Sequence, residues 1–236
     1  MASPDATGTP ATTINGEVAG TTHTINLPTD ESEGDLCVVA ICYTRDTGEA
    51  PATMTQPANW TEVYEGSAIG AADGPRLGIW YRAVPAGGLD ATADWEASDA
   101  GSDSIAVAGL WSGADTSEED VVGNATGGPD QAPTCPDETT TVADTVVLRI
   151  FGCDDDDAAA DGGYPGGTTG VGVAEAGNTA GNGCSVAMAY ETQAGAGSTG
   201  TAAFSLDASE HWDAVTLAFG PSEAASGNPW YAYAQQ

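Results

Sequence analysis

The densest group of side chains that could do chemistry is an acidic cluster in the second half of the chain. It contains Asp154, Asp155, Asp156, Asp157 and Asp161. Carboxylate oxygens are the ligands that Ca²⁺ and Mg²⁺ prefer in proteins, so the cluster is a candidate metal site. The spacing of an EF-hand loop is absent, and an acidic loop in a strongly acidic protein is usually a solvated surface. We therefore predict that no cofactor is required, with Ca²⁺ or Mg²⁺ in the acidic loops as the alternative.

Nucleophilic and acid–base motifs give little support for catalysis. The two histidines, His23 and His211, fall at strand positions, where a structural role is more common than a catalytic one. The sequence contains no G-x-S-x-G, H-E-x-x-H or phosphate-loop motif. Paired carboxylates occur throughout the chain, so they do not single out a glycosidase site. We predict that the protein is not an enzyme.

Two Asn-x-Thr sequons are candidate glycosylation sites. Asn59 precedes Trp60, which we expect in the core, whereas Asn124 falls in a predicted long loop over residues 114–138. Loops of this length are usually functional or bind a partner. We therefore take Asn124 as the better candidate for a surface glycan.

The five cysteines leave two arrangements open. Because their number is odd, at least one thiol is free or paired with another molecule. Cys37 and Cys42 are an odd number of residues apart in one predicted strand, so their side chains point to opposite faces and cannot pair. Cys135 and Cys153 flank one strand and could pair with each other or with Cys184. Buried free thiols are an equally good prediction, and no Cys/His spacing indicates zinc.

Net charge is the strongest signal in the composition. The 236 residues include 35 aspartates and glutamates against four arginines and no lysine, which gives a net charge of −31. Such self-repulsion loosens a fold in dilute salt, whereas molar salt shortens the screening length to about 3 Å. We therefore infer a protein from an extreme halophile or from one of its viruses. The same charge argues against nucleic-acid binding, because neutralising phosphates requires cations.

The sequence gives no indication of membrane insertion. Its N-terminus lacks the basic and apolar segments of a signal peptide, and no apolar run approaches the length of a membrane span. We expect no membrane partner.

Most of the chain has the pattern of β-strands separated by turns. Residues 105–111 are apolar at odd and even positions alike, which is typical of a strand buried on both faces. Residues 36–43 show the same pattern. Roughly ten or eleven such segments occur, and none has helical periodicity. We predict an all-β fold, an antiparallel β-sandwich of jelly-roll or Greek-key type, as a single domain over residues 21–220.

The two ends of the chain differ from this domain. Residues 1–20 are small and polar and are typical of an N-terminal arm. Residues 221–236 form an aromatic C-terminal tail with one acidic residue, in which Trp230, Tyr231 and Tyr233 lie close together. Exposed aromatic side chains are natural anchors for a partner surface. We expect these three side chains to contact another subunit.

The order of several motifs resembles that of β-sandwich surface proteins of tailed-virus particles. Residues 57–61, Pro-Ala-Asn-Trp-Thr, resemble the P-x-G-W-T step of that family, with asparagine in place of its usual glycine. Residues 77–82 resemble its L-x-V-Y-Y-K/R strand, and residues 108–115 its A-x-x-Y-S-G-V-D strand and turn. The motifs at 198–201 and 212–218 resemble its closing G-S-T-G-T and W-x-A-V-T-L-A segments. The resemblance extends over roughly residues 20–220.

This resemblance implies a non-enzymatic structural protein on the virion surface of a haloarchaeal tailed virus. The sequence lacks a shaft, a heptad pattern or an internal repeat, so a capsid decoration or turret subunit fits better than a tail fibre. Such subunits usually form symmetric oligomers, with a trimer favoured, and contact the major capsid protein. The alternatives are a tail-fibre or receptor-binding subunit that attaches to host-surface glycan, and a carbohydrate-binding β-sandwich module with Trp95 or Trp230 as sugar platform.

Overall fold

The structure is a computed structural model, and it describes residues 13–19, 21–29, 31–43, 53–70, 75–98, 103–117, 119–154, 163–176 and 183–222. These residues form seventeen antiparallel strands and no helix, and therefore no helix that could cross a membrane. The predicted all-β antiparallel sandwich is confirmed. A jelly-roll order of connections stays a prediction.

The strands fall into two five-stranded sheets, one three-stranded sheet and two short ribbons. In chain order they are β1 (Thr13–Ala19), β2 (Thr22–Asn26), β3 (Leu36–Tyr43), β4 (Met54–Thr55), β5 (Thr61–Glu65), β6 (Arg76–Ala83), β7 (Thr92–Ala97), β8 (Asp103–Trp111), β9 (Val121–Asp130), β10 (Thr134–Cys135), β11 (Thr139–Thr140), β12 (Thr145–Asp154), β13 (Thr169–Ala176), β14 (Cys184–Gln193), β15 (Gly197–Ser198), β16 (Ala202–Ala203) and β17 (Glu210–Phe219).

Two five-stranded sheets form the centre of the molecule. Sheet I has the order β1-β8-β3-β6-β5, and sheet II has the order β13-β14-β12-β17-β9. Their facing sides meet in the largest apolar cluster, where side chains of β3, β6 and β8 pack against those of β12, β14 and β17. This burial supplies most of the favourable free energy of a sandwich, because apolar area is removed from water on both inner faces.

Each of these sheets is also covered on its outer face. The three-stranded sheet β2-β7-β4 packs on sheet I through Trp60, Trp80 and Trp95. The ring centroid of Trp95 lies 5.1 Å from that of Trp60 and 5.9 Å from that of Trp80. The ribbons β10-β16 and β11-β15 lie outside sheet II, where Phe151 contacts Phe204 at 4.6 Å. Strands β3 and β8 are therefore buried on both faces, as their sequences predict.

The buried guanidinium of Arg149 ties the outer ribbons to sheet II. Arg149 lies on β12 with 1% of its surface exposed. Its Nε and Nη2 donate to one carboxylate oxygen of Glu191, at 3.1 and 2.7 Å. Nη1 donates to the Thr216 hydroxyl and the Pro136 carbonyl, and Nη2 donates to the Thr199 carbonyl. The charge is thus both paired and hydrogen-bonded, which a buried cation requires.

Two tryptophans lie over a glycine two positions earlier in the same strand. A Cβ at Gly78 would overlap the Trp80 ring, and a Cβ at Gly109 would overlap the Trp111 ring. Residues two apart in a strand share a face, so the ring fills the volume that the missing side chain leaves. In each of these Gly-x-Trp pairs the tryptophan ring packs closely against the backbone of sheet I.

The predicted long loop over residues 114–138 is wrong. Its middle forms β9, a ten-residue edge strand of sheet II that pairs with β17, and its end contributes β10. The segment is an edge strand rich in glycine, so it lacks the apolar alternation of a half-buried strand. Its backbone hydrogen bonds do not require particular side chains, so the sequence does not indicate them. Residues 13–19, within the predicted N-terminal arm, form β1 beside β8.

Candidate interaction surface

Sheets I and II end in four edge strands, and the pairing of all four includes a register shift. Strands β1, β5 and β13 also contain glutamate, at Glu17, Glu62 and Glu175 respectively. Bulges and charges are the usual means by which proteins keep an edge strand from pairing with another chain.

Strand β9 carries its protection at its C-terminal end, where a register shift, Pro129 and Asp130 occur, and the Glu138 carboxylate lies over Gly123. Residues 121–127 pair with β17 without interruption, and the register shift comes only after Gly127. Val-Val-Gly-Asn-Ala-Thr-Gly has no charged side chain, and Asp130 is the only acidic residue of the strand. We call residues 121–127 the neutral edge. Among the described residues, β9 pairs with β17 alone.

The candidate glycosylation residue Asn124 lies at the middle of the neutral edge. Its side chain is exposed. A hydrogen bond from Asn124 to the Tyr64 hydroxyl favours the ionised phenolate and so lowers the pKa of Tyr64, against the larger effect of burial. The sequence places Asn124 in a loop, whereas the structure places it in a strand. Glycosylation at this residue stays a prediction.

A hydrogen bond joins the two central sheets directly behind the neutral edge. Tyr64 on β5 donates its hydroxyl to Oδ2 of Asp213 on β17, at 2.5 Å. Asp213 is 1% exposed, and its other oxygen, Oδ1, has no hydrogen-bond partner among the described residues. Asp213 lies opposite Thr126 of β9. We call this pair the Tyr64–Asp213 seam.

Burial raises the pKa of Asp213 to about 6. Hydrogen bonds from Tyr64 and from the Ala214 backbone act in the opposite direction but are the smaller effect. Burial also raises the pKa of Tyr64, and the neighbouring Asp213 adds to that rise. A carboxyl that titrates near neutral pH is often found in functional sites. Here the carboxyl is enclosed between the sheets, so the geometry favours a structural role.

The predicted acidic metal site is described at one residue. Asp154 ends β12 and accepts the backbone N–H of His211 at 3.0 Å. Asp155, Asp156, Asp157 and Asp161 lie outside the described residues. Within the described ranges, no three His, Cys, Asp or Glu side chains are placed to hold a metal. A Ca²⁺ or Mg²⁺ site stays a prediction.

The predicted contact residues Trp230, Tyr231 and Tyr233 also lie outside the described residues. The chain before them runs antiparallel to the turn after β8. Ser222 donates its N–H to the Gly113 carbonyl at 2.8 Å, and Asp115 donates to the Gly220 carbonyl at 2.6 Å. Their role as a subunit contact stays a prediction.

Trp95 is not a sugar platform. Its ring is fully buried between the three-stranded sheet and sheet I, and it meets Trp60 edge to face. Stacking on a sugar requires an exposed ring face, so this part of the carbohydrate-binding alternative is wrong. His23 is also buried, with Nδ1 2.7 Å from the Ser104 hydroxyl, as expected for a structural histidine.

All five cysteines are free and buried. The free-thiol alternative is therefore confirmed, and Cys135, Cys153 and Cys184 form no bridge with one another. Cys37 and Cys42 face different apolar clusters, as their spacing predicts. Burial raises the pKa of Cys37 and of Cys135 to about 12, so these thiols are poor nucleophiles at neutral pH.

Neither the neutral edge nor the seam is predicted from the sequence. One signal for the seam was present: Asp213 shares a strand face with Val215, Leu217 and Phe219, so a carboxylate occupies a core-facing position. Comparison with known protein families, curated proteins and solved structures finds no match to this chain. Its function is therefore inferred from its composition and geometry.

Proposed function

We propose that the protein is a structural subunit on the surface of a virus particle that assembles in concentrated salt. Its most specific form is a capsid decoration or turret subunit of a haloarchaeal tailed virus. The subunit is non-enzymatic and acts through contacts with its own copies and with the major capsid protein. It is made in the host cytoplasm and is displayed on the virion.

The observation that carries this proposal is the neutral edge. A chain with a net charge of −31 is kept apart from other copies by its own carboxylates. Strand β9 nevertheless presents seven regular, uncharged residues at the border of a central sheet. An open edge is a liability for a protein that acts alone. It is useful to a protein whose function is to join other subunits.

The positions of the motifs that resemble virion proteins add support. Residues 77–82 lie in β6, residues 108–115 cover the end of β8 and its turn, and residues 212–218 lie in β17. All three belong to the two central sheets. Three of the five motifs of the resemblance therefore lie in the central sheets, whereas residues 57–61 and 198–201 lie mainly in connections.

A receptor-binding or tail-fibre subunit is the alternative form of the proposal. Trp230 is the remaining tryptophan of the two suggested as sugar platforms. The burial of Trp95 weakens a carbohydrate-binding module built on the sandwich itself. We therefore favour assembly over sugar binding.

Immunogold labelling of particles tests the proposal. Antibodies against the purified chain are applied to particles and to cell fractions from a culture that carries the gene. Labelling over the head supports a decoration or turret subunit, whereas labelling confined to the tail supports the fibre alternative. Antigen that remains in the soluble cell fraction and never bands with particles would overturn both.

A further inference from the structure

We propose that the neutral edge binds the same edge of a second copy of this chain, so that two β9 strands pair antiparallel across a two-fold axis. The proposal deepens the assembly role and rests on it for its biological purpose. The pairing itself is a property of the isolated chain and can be measured separately.

The neutral edge is available to a further strand. Alternate backbone N–H and C=O groups of an edge strand point away from its sheet and can pair with another strand. Strand β9 is regular over residues 121–127, so these groups are evenly presented. Asn124 and Thr126 are exposed along it.

Carboxylates surround the neutral edge, although β9 itself carries no charged side chain over residues 121–127. Glu119 and Asp120 precede it, Asp130 follows it, and the Glu138 carboxylate lies over Gly123. A partner strand that carries carboxylates would be repelled by these groups. A second neutral edge adds no charge of its own, because antiparallel pairing centred on Asn124 keeps residues 121–127 opposite residues 121–127.

The side chains along the neutral edge also match those of a second copy in size. Pairing centred on Asn124 sets Val121 opposite Gly127, Val122 opposite Thr126, and Gly123 opposite Ala125. Val121 thus faces the small Gly127, the two small residues Gly123 and Ala125 face each other, and the β-branched pair Val122 and Thr126 is favourable across strands. The Trp212 ring covers Gly127, so Val121 of the second copy would lie beside that ring. The two Asn124 amides face each other and can exchange hydrogen bonds.

A two-fold contact of this kind is isologous and closes after two copies. It therefore departs from the trimer that the resemblance favours. It also excludes a glycan at Asn124, because a sugar and a second strand cannot occupy one edge. A trimer of the isolated chain, or a glycan on Asn124, would therefore contradict the proposal.

The test compares two asparagine-to-aspartate variants of the full chain, expressed without glycosylation and studied in molar salt. Asn124→Asp is nearly isosteric and sets two carboxylates directly opposite each other at the axis. Asn26→Asp makes the same change at an exposed position of β2, away from the edge. Sedimentation equilibrium gives the mass and dissociation constant of each.

We expect the parent and Asn26→Asp to dimerise alike, and Asn124→Asp to raise the dissociation constant about tenfold or more. Circular dichroism confirms that both variants are folded. A parent chain that stays monomeric or forms a trimer, or two variants that dimerise equally well, would overturn the proposal. None of these results would move the particle-labelling result.

A cross-linking readout tests the axis. The native thiols are buried, so Asn124→Cys adds a single exposed thiol. Opposed Cβ atoms in antiparallel strands lie about 5 Å apart, which allows a disulfide after rotamer adjustment. We expect copper-catalysed air oxidation to convert Asn124→Cys, but not Asn26→Cys, into a covalent dimer. Equal cross-linking of both would show that the dimer uses another surface.

Discussion

Replacing Asp213 by asparagine removes the carboxyl group of the Tyr64–Asp213 seam and should change how stability depends on pH. The ordinary pKa of the carboxyl is 3.8, and burial raises it to about 6 in the folded protein. Since a tenfold change in proton affinity corresponds to about 1.4 kcal/mol, this rise amounts to about 3 kcal/mol. The folded state binds the proton more tightly than the unfolded state, so stability falls as pH rises from about 4 to about 6.

The Asp213→Asn side chain has no charge to bury at any pH. It retains a carbonyl oxygen that can accept the Tyr64 hydroxyl, so the bond between the sheets can persist. We expect the free energy of unfolding of the variant, relative to the parent, to increase by about 3 kcal/mol between about pH 4 and about pH 7. A constant offset from the amide group does not affect this change.

Denaturant unfolding in molar salt, followed by tryptophan fluorescence, measures the difference at each pH. The other carboxylates titrate in both proteins and largely cancel in the difference. Asp207→Asn removes a charge from the exposed surface and controls for the change in net charge. If the difference in free energy of unfolding between Asp213→Asn and the parent stays constant or falls from pH 4 to pH 7, the carboxyl of Asp213 does not have a pKa raised by burial.

Three further predictions concern the buried framework. Arg149→Met should lower the free energy of unfolding by about 3 kcal/mol. This is near the low end for a broken buried ion pair, because the Glu191 side chain is 30% exposed. Denaturant unfolding that shows no loss of stability would contradict the role of Arg149. Gly109→Ala should cost about 1–3 kcal/mol by displacing the Trp111 ring, whereas Gly195→Ala, with open space around it, should change stability by less than about 0.5 kcal/mol. Thermal melts that rank these two equally would count against ring-over-glycine packing. A thiol reagent should label none of the cysteines in the folded protein and all five after unfolding, and rapid labelling before unfolding would show that the sheets separate locally.

The central sheets could be predicted from the sequence because burial on two faces leaves a direct mark. In β3 and β8 nearly every residue is apolar, since one face meets the opposite sheet and the other meets a covering layer. The opposed faces of Cys37 and Cys42 follow from the same two-residue period. Packing of this kind selects side-chain type at each position, so the pattern is readable without a structure.

The neutral edge could not be predicted because hydrogen bonds of the backbone hold it in place. Residues 121–127 contact β17 through main-chain groups that every residue has, and glycine occurs twice among them. The seam was hidden for another reason. Tyr64 and Asp213 are 149 residues apart, and in a chain with 35 acidic residues one aspartate does not stand out.

The Gly-x-Trp pairs have a consequence for how this sequence can diverge. Gly78 and Trp80 fill one volume between them, and Gly109 and Trp111 fill another. A smaller residue in place of either tryptophan leaves a void, which a side chain at the glycine position can occupy. The two positions of each pair are therefore expected to vary together among descendants of this chain: a lineage that loses the ring should acquire alanine, valine or a larger residue two positions earlier. Each pair then behaves as a single inherited character, and joint changes of this kind would mark related chains even where overall identity has decayed.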